Sequence, residues 1–147
     1  MASNNNTTNQ LKKSELKIFS HTKNLNLVRE FISEAARTFG FDEDTTNKIV
    51  LATDEACTNI IRHAYHNADD KPIELTVNTR NNTFEIVIVD RGDSFNPSEV
   101  KLPKMPDYIK RYKKGGLGMY LMHSLVDKVE YGIDPGKQNL VRLIKYK

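Results

Sequence analysis

Glu55 and Asn59 are the residues of this sequence whose types and spacing are best suited to chemistry. They are four positions apart in residues 54–65, a stretch whose apolar positions fit one side of an α-helix. Side chains at this spacing project from the same helix face, so the carboxylate and the carboxamide point together, with Arg62 beside them. Such a pair suits a general base next to a metal ligand. A solvated helix face has the same pattern, and this stretch alone does not decide between the two.

A second candidate site is the glycine-rich segment Gly115, Gly116, Leu117 and Gly118, which opens a predicted helix. A helix N-terminus carries unpaired N–H groups and a partial positive charge, and glycine allows an anion to approach the backbone closely. Phosphate binding is therefore one interpretation, and a flexible loop before a helix is the other. The segment is not a Walker P-loop, because no Lys-Ser/Thr pair follows it, and it lacks the third glycine of the Rossmann fingerprint.

Basic residues lie just before this segment, where they would either face solvent or neutralise a bound phosphate: Arg111, Lys113 and Lys114. A third candidate site is Asp90, Arg91 and Gly92, at the end of a hydrophobic run. A carboxylate there can accept a hydrogen bond from an exocyclic amine such as that of adenine, and Gly92 would let a flat base lie against the backbone. An aspartate shortly before a glycine is also typical of a simple turn.

Hydrophobic periodicity predicts the elements that must position these residues. In chain order they are a strand over 15–20, helices over 24–39 and 42–66, strands over 73–77 and 84–89, a helix after Gly115, and strands over 129–133 and 139–146. The strand over 84–89 is apolar on both faces, so we expect it to be central. Strands joined by hairpins, with helices on one face, predict an α+β two-layer sandwich with a mixed, largely antiparallel sheet.

Three local features mark boundaries in this prediction. Gly40 is the expected C-cap of the first helix and Asp42 the expected N-cap of the second. Residues 93–114 have no clear periodicity and contain three prolines. A loop of that length in a compact domain is typically a lid or a binding segment.

Composition indicates a globular chain with one domain, since 38% of its 147 residues are hydrophobic and 28% are charged. The polar residues 1–13 are expected to form a flexible arm and residues 14–147 the domain. The net charge of +3 is spread without a basic stripe, so direct nucleic-acid binding is not expected. No apolar run is long enough to span a membrane. The single cysteine, Cys57, is expected to be a buried apolar residue in a reducing, cytoplasmic setting.

Together, the three candidate segments resemble the ATP-binding boxes of the GHKL superfamily, whose Bergerat fold is shared by gyrase-type topoisomerases, chaperones and histidine kinases. Within this superfamily the chain is similar to the bacterial anti-sigma factor serine kinases of the stress-response and sporulation type. Residues 54–59 match their N box, residues 90–92 their first glycine box and residues 115–119 their second. The resemblance extends over roughly residues 15–146.

The resemblance implies a role for each segment. Glu55 would be the general base that deprotonates an acceptor serine, and Asn59 would hold Mg2+ through its carbonyl oxygen. Asp90 would accept a hydrogen bond from the adenine amine, and the glycine-rich segment would wrap the phosphates of ATP. His63 would line the nucleotide site, and Arg29 matches a position at which similar proteins contact a partner.

One position departs from the family. A threonine is common early in the last strand, near the adenine, whereas this chain has Asn139 and Leu140. This difference concerns the selectivity for the base and leaves phosphate binding unaffected.

The implied function is an ATP-dependent protein-serine kinase that phosphorylates a STAS-domain anti-sigma factor antagonist and sequesters a sigma factor by partner switching. An ATP-responsive binding module without kinase activity is the alternative, and the sequence leaves open whether the homodimer customary in the family forms. The catalytic half of a histidine kinase would need a phospho-accepting histidine on dimerisation helices, and a topoisomerase-type ATPase would need a transducer domain. We expect neither in a chain of this length.

Overall fold

The computed structural model describes residues 10–94, 116–134 and 137–147. Its strands are β1 (Lys12–Phe19), β2 (Pro72–Arg80), β3 (Thr83–Asp90), β4 (Lys128–Asp134) and β5 (Gln138–Tyr146). Its α-helices are α1 (Leu25–Phe39), α2 (Glu43–Asn59) and α3 (Gly116–Leu125). A short 3-10 turn, Thr22–Asn24, precedes α1, and a π-helical turn, Ile60–Ala64, continues α2.

The strands form one sheet in the order β1-β2-β3-β5-β4, so β3 is the central strand, as predicted. Each described pairing is antiparallel, whereas a mixed sheet was expected. The register aligns Asp90, the last residue of β3, with Ile73 of β2 on one side and with Asn139 of β5 on the other. The end of β3 is therefore enclosed by two neighbouring strands.

Alternation along the strands separates a buried face of the sheet from a half-exposed one. In β2 and β3 every second residue is buried, and the residues between them are half-exposed for most of each strand. The buried face packs with apolar residues of the helices into one core, and α2 contacts both α1 and α3. The predicted α+β two-layer architecture is confirmed, although the second face of β3 is less buried than its apolar sequence suggested.

Both predicted helix caps are present. Oδ1 of Asp42 accepts a hydrogen bond from Thr45 N at 2.8 Å at the start of α2. Gly40 ends α1 with φ 109°, in the left-handed region that favours glycine, and its N–H donates to Ala36 O and Arg37 O. These caps determine where the two helices stop and start.

The end of α2 differs from the prediction of a helix running to about His66. Regular α-helix ends at Asn59, and Tyr65 N donates to Ile60 O at 2.9 Å, which closes a wider turn of five residues. π-helical turns of this kind occur frequently at functional sites. His66 and Asn67 then adopt positive φ values of 51° and 65°, which end the helical path.

Other predictions are confirmed or fall outside the described ranges. The first strand begins at Lys12 rather than at Glu15, so two residues of the predicted arm belong to the sheet. Cys57 is fully buried, as expected, and burial raises the pKa of its thiol to about 12. Most of the segment 93–114 lies outside the described residues. None of the helices in the described ranges combines the length and the apolar character that crossing a membrane would require.

Phe84 should carry a large share of the packing energy of the core. It is fully buried, and its ring centroid lies 5.6 Å from those of Phe39 and Phe41. We expect Phe84→Ala to lower the free energy of unfolding by about 3–5 kcal/mol, because it leaves a cavity. The matched control is Phe19→Ala, since Phe19 is 58% exposed, and it should change stability by less than about 0.5 kcal/mol. Equal effects in urea denaturation would contradict this description of the core.

Candidate functional site

Helix α2 is the platform that carries the first candidate segment. Ala56 and Cys57 are buried against the core, whereas Glu55 and Asn59 are half-buried one turn apart. The spacing predicted from the sequence therefore holds, because both residues lie within the regular part of the helix. Their side chains are therefore accessible to a ligand on a helix that is fixed by its packing against the core.

The surroundings of Glu55 raise the pKa of its carboxyl. Burial raises the pKa of its carboxyl, the neighbouring charge of Asp54 raises it further, and Arg62 lowers it. No hydrogen bond or ion pair from another described residue engages this carboxylate. A carboxylate that is partly desolvated and unpaired takes up a proton more readily than one in water.

Arg29 of α1 forms an ion pair with Asp54, the residue that precedes Glu55. Its Nε donates to Asp54 Oδ1 at 2.8 Å, and its Nη1 donates to Asn26 Oδ1 at 2.8 Å. The sequence predicts Arg29 as a partner-contacting residue, and in the structure its guanidinium is already held by the residue preceding Glu55. An ion pair this exposed contributes little to stability, so its effect is mainly to position the two side chains.

Asn59 connects α2 to the helix that follows the glycine-rich segment. Its Nδ2 donates to Met119 Sδ at 3.2 Å. Because the amide nitrogen faces the sulfur, the oxygen Oδ1 is the atom left to ligate a cation. The contact with α3 thus leaves Oδ1 unused, and cation binding by this oxygen stays a prediction.

Asp90 is the most deeply buried charged residue of the site, with 5% of its surface exposed. Its Oδ1 accepts hydrogen bonds from Asn139 Nδ2 and from Gly92 N, each at 2.9 Å. Burial raises the pKa of this carboxyl, and the two hydrogen bonds oppose that rise. Asp90, the residue predicted to bind the adenine, is thus a buried carboxylate at the end of the central strand, and two hydrogen-bond donors hold it there.

Gly92 is required by a close approach of two backbone segments. A Cβ atom at this position would lie 2.5 Å from Ala64 O and 2.6 Å from the Ala64 carbonyl carbon. The next residue uses the same approach, because Asp93 N donates to Ala64 O at 2.9 Å. Packing against the end of the π-helical turn therefore accounts for this glycine, and its contact with a base remains a prediction.

Two contacts bring the three segments together around the end of α2. The hydrogen bond from Asp93 N to Ala64 O joins the first glycine box to the π-helical turn. The hydrogen bond from Asn59 to Met119 joins α2 to α3, whose first turn is Gly116–Gly118. The prediction that the glycine-rich segment opens a helix is confirmed. Arg111 and Gly115 lie outside the described residues, and His63 is exposed on the π-helical turn.

Two structural residues of the site were not predicted in these roles. Tyr65, 7% exposed, donates its hydroxyl hydrogen to Pro72 O and accepts a hydrogen bond from Arg91 N at 2.8 Å. It thereby fastens the adjacent ends of β2 and β3 to the end of the helix. Asn139 holds the segment after β3 through its side-chain amide. A tyrosine at a helix end and an asparagine early in a strand are weak sequence signals, because neither pattern specifies a partner.

Comparison with known protein families and relatives agrees with this arrangement. The family model of the histidine kinase-like ATPase domain matches residues 19–145. The chain is 34% identical over 128 residues to the serine-protein kinase RsbW of Bacillus licheniformis, covering 83% of this chain and 79% of that protein. It is 31% identical over 132 residues to RsbW of Bacillus mycoides, covering 86% and 81% of the two chains.

A solved structure shares the fold. The crystal structure of the RsbU and RsbW domains of Rv1364c from Mycobacterium tuberculosis matches with a TM-score of 0.64 at 14% identity. The match covers 92% of this chain and 32% of that one. At this level of identity the likeness concerns the fold alone.

The charges around Glu55 should shift its pKa in opposite directions. Asp54→Asn should lower the pKa of Glu55 because it removes a like charge, and Arg62→Gln should raise it because it removes an opposite charge. NMR titration of the glutamate side-chain carbons measures both. Lys17→Gln removes a positive charge from the exposed edge strand β1 and should leave the pKa of Glu55 unchanged. Shifts of the same sign in the Asp54 and Arg62 variants would contradict this description.

Gly92→Ala should be destabilising because the new methyl group has to displace the backbone at Ala64. We expect a loss of about 1–3 kcal/mol in the free energy of unfolding, as for other overpacked sites. Gly132→Ala is the matched control, since a Cβ there would lie 3.7 Å from Leu140 Cβ, an ordinary contact. Urea denaturation of the two variants gives the comparison. A Gly92 variant as stable as the Gly132 variant would show that the close approach is absent in solution.

Proposed function

Because this chain belongs to the histidine kinase-like ATPase family, and within it to the serine-protein kinases, we propose that it transfers the terminal phosphoryl group of ATP to a serine of a partner protein. We further propose that the substrate is a STAS-domain anti-sigma factor antagonist and that the chain sequesters a sigma factor. The observation that carries the proposal is the convergence of a half-buried carboxylate, a carboxamide and a buried aspartate around the end of α2.

Glu55 is the general base in this proposal. Its carboxylate accepts the proton of the serine hydroxyl as the oxygen attacks the terminal phosphorus, and ADP leaves on the opposite side. Partial burial raises its pKa, which favours proton uptake, and no described residue competes for its oxygens. A module that only senses nucleotide would not need such a base.

Asn59 and the first turn of α3 hold the phosphate end of ATP in this proposal. Asn59 Oδ1 is suited to Mg2+, which prefers oxygen ligands and takes most of the others from water and phosphates. When bound, the ion would neutralise charge on the phosphate oxygens. The backbone N–H groups at the start of α3 favour an anion, because they lack partners within the helix.

Asp90 holds the base end of ATP in this proposal. Its buried carboxylate keeps Oδ2 as an acceptor for the adenine amine, since the hydrogen bonds from Asn139 and Gly92 both end on Oδ1. Partner docking would use the surface around Arg29, which is held by Asp54, the residue that precedes Glu55. We place the reaction in the cytoplasm, where sigma factors act.

The variant Glu55→Gln distinguishes an effect on phosphoryl transfer from an effect on nucleotide binding, because it removes the proposed general base but keeps the size of the side chain. We expect phosphoryl transfer to STAS-domain proteins, scored by phosphoserine mass spectrometry, to fall by about 10²–10⁴-fold. Calorimetric affinity for Mg-ATP should stay within a few fold. The control Glu34→Gln makes the same change at an exposed position of α1, further from Arg29, and should retain activity.

Two results would contradict this proposal. Transfer by the Glu55 variant at the rate of the unmodified protein would exclude Glu55 as the base. Binding of ATP and of a sigma factor by the unmodified protein, without transfer to any STAS-domain protein, would instead favour a regulatory binding module.

A further inference from the structure

The side chain of Asn139 forms the densest polar cluster among the described residues of the site. It lies opposite Asp90 in the register of β3 and β5 and is 5% exposed. Its Nδ2 donates to Asp90 Oδ1 at 2.9 Å, to Gly92 O at 3.0 Å and to Asp93 O at 3.3 Å. Its Oδ1 accepts a hydrogen bond from Ser94 Oγ at 2.7 Å. The side-chain amide of Asn139 therefore connects β5 to four of the five residues 90–94.

The chemistry of a carboxamide explains why this cluster has one arrangement. An amide nitrogen has two hydrogens and the oxygen accepts, so exchanging the two ends would place the oxygen against a carboxylate and two carbonyl groups. The Ser94 hydroxyl, which donates to the amide oxygen, disfavours that exchange as well. Because Asp90 and Asn139 are buried, leaving either of these side chains without a partner would be costly.

This arrangement restricts the carboxylate of Asp90. Both hydrogen bonds that Asp90 accepts end on Oδ1, and within the described ranges Oδ2 accepts none. Rotation of the carboxylate would break the bonds from Asn139 and Gly92 together. The two oxygens are therefore distinct, one fixed by the protein and the other left to a ligand.

We propose that Asn139 is a positioning residue that determines which nucleobase the site selects. It holds Asp90 Oδ1 so that Oδ2 accepts a hydrogen bond from a purine bearing an amine at its sixth position. A purine with a carbonyl there presents an acceptor to an acceptor and is rejected. This inference rests on the proposed function, in which Asp90 meets the base of ATP.

The amide is required in this chain, since a shorter side chain would not reproduce its contacts. A threonine at this position would have a single hydroxyl hydrogen, which cannot serve Asp90, Gly92 and Asp93 together. Asn139→Asp keeps the shape of the side chain but places an acceptor against the Asp90 carboxylate. Gln138→Glu is the matched control, because it makes the same chemical change at the adjacent, half-exposed residue.

The test compares affinities for Mg-ATP and Mg-ITP, which differ in the amine or carbonyl at the sixth position. We expect the unmodified protein to prefer ATP by about ten- to hundredfold, as expected for a hydrogen bond to a charged group. Asn139→Asp should reduce this preference to a few fold, mainly by lowering the affinity for Mg-ATP. Gln138→Glu should retain the preference. The ratio of the two dissociation constants is the readout, because general damage to the site weakens both nucleotides alike.

A second variant keeps the test informative if Asn139→Asp does not fold. Ser94→Ala removes the hydroxyl that fixes the amide oxygen, at an exposed position, and should lower the preference for ATP about two- to tenfold. An unchanged ratio in the folded variants, with a selective unmodified protein, would overturn the role of Asn139 alone. Equal affinity of the unmodified protein for both nucleotides would also overturn it. Failure to bind ATP at all would overturn the proposed function together with this inference.

Discussion

The carbonyl oxygen of Ala64 accepts a hydrogen bond from Asp93 N at 2.9 Å, and the geometry of the site depends on this contact. Carbonyl groups at a helix end lack partners within the helix, so each needs a donor from elsewhere. Here the donor comes from the segment that follows the central strand, and the approach is possible because Gly92 has no side chain. The π-helical turn directs the chain into this contact, and Tyr65 then binds the ends of β2 and β3 from the same place. The end of α2 therefore positions the first glycine box relative to Glu55.

Two carboxylates with raised pKa values, Asp90 and Glu55, differ in what surrounds them, and this difference fits their separate proposed roles. Asp90 is buried and receives hydrogen bonds from Asn139 and Gly92, which oppose the effect of burial and hold it in place. Glu55 is less buried and is affected by the nearby charges of Asp54 and Arg62, without a hydrogen bond from the described residues. A fixed carboxylate suits recognition, whereas an unpaired one suits proton transfer. The proposed function needs both, and it assigns recognition to the strand end and proton transfer to the helix face.

Much of the architecture could be predicted because local physics determined it. Alternation of apolar residues identified the strands, and the caps at Gly40 and Asp42 follow from backbone conformation and from side-chain donors and acceptors close in sequence. Regular helix in α2 ends about seven residues earlier than predicted, at Asn59. Apolar periodicity continues through Ile60 and Ile61, and it does not distinguish an α-helix from a turn that is one residue wider. β1 began earlier than predicted because its pairing with β2 starts at Lys12, an exposed residue without an apolar signal.

By itself, the sequence determined the identity of the candidate residues and the spacing of Glu55 and Asn59, because a helical repeat follows from backbone geometry. It also identified the family, whose boxes are short and continuous in the chain. Only the tertiary structure decided which groups hold these residues. Met119 meets Asn59 across 60 positions of sequence and Asn139 meets Asp90 across 49, and no local pattern encodes such pairs. They form because buried polar groups must find partners wherever packing of the sheet and helices brings them, so the orientation of the site depends on the whole fold.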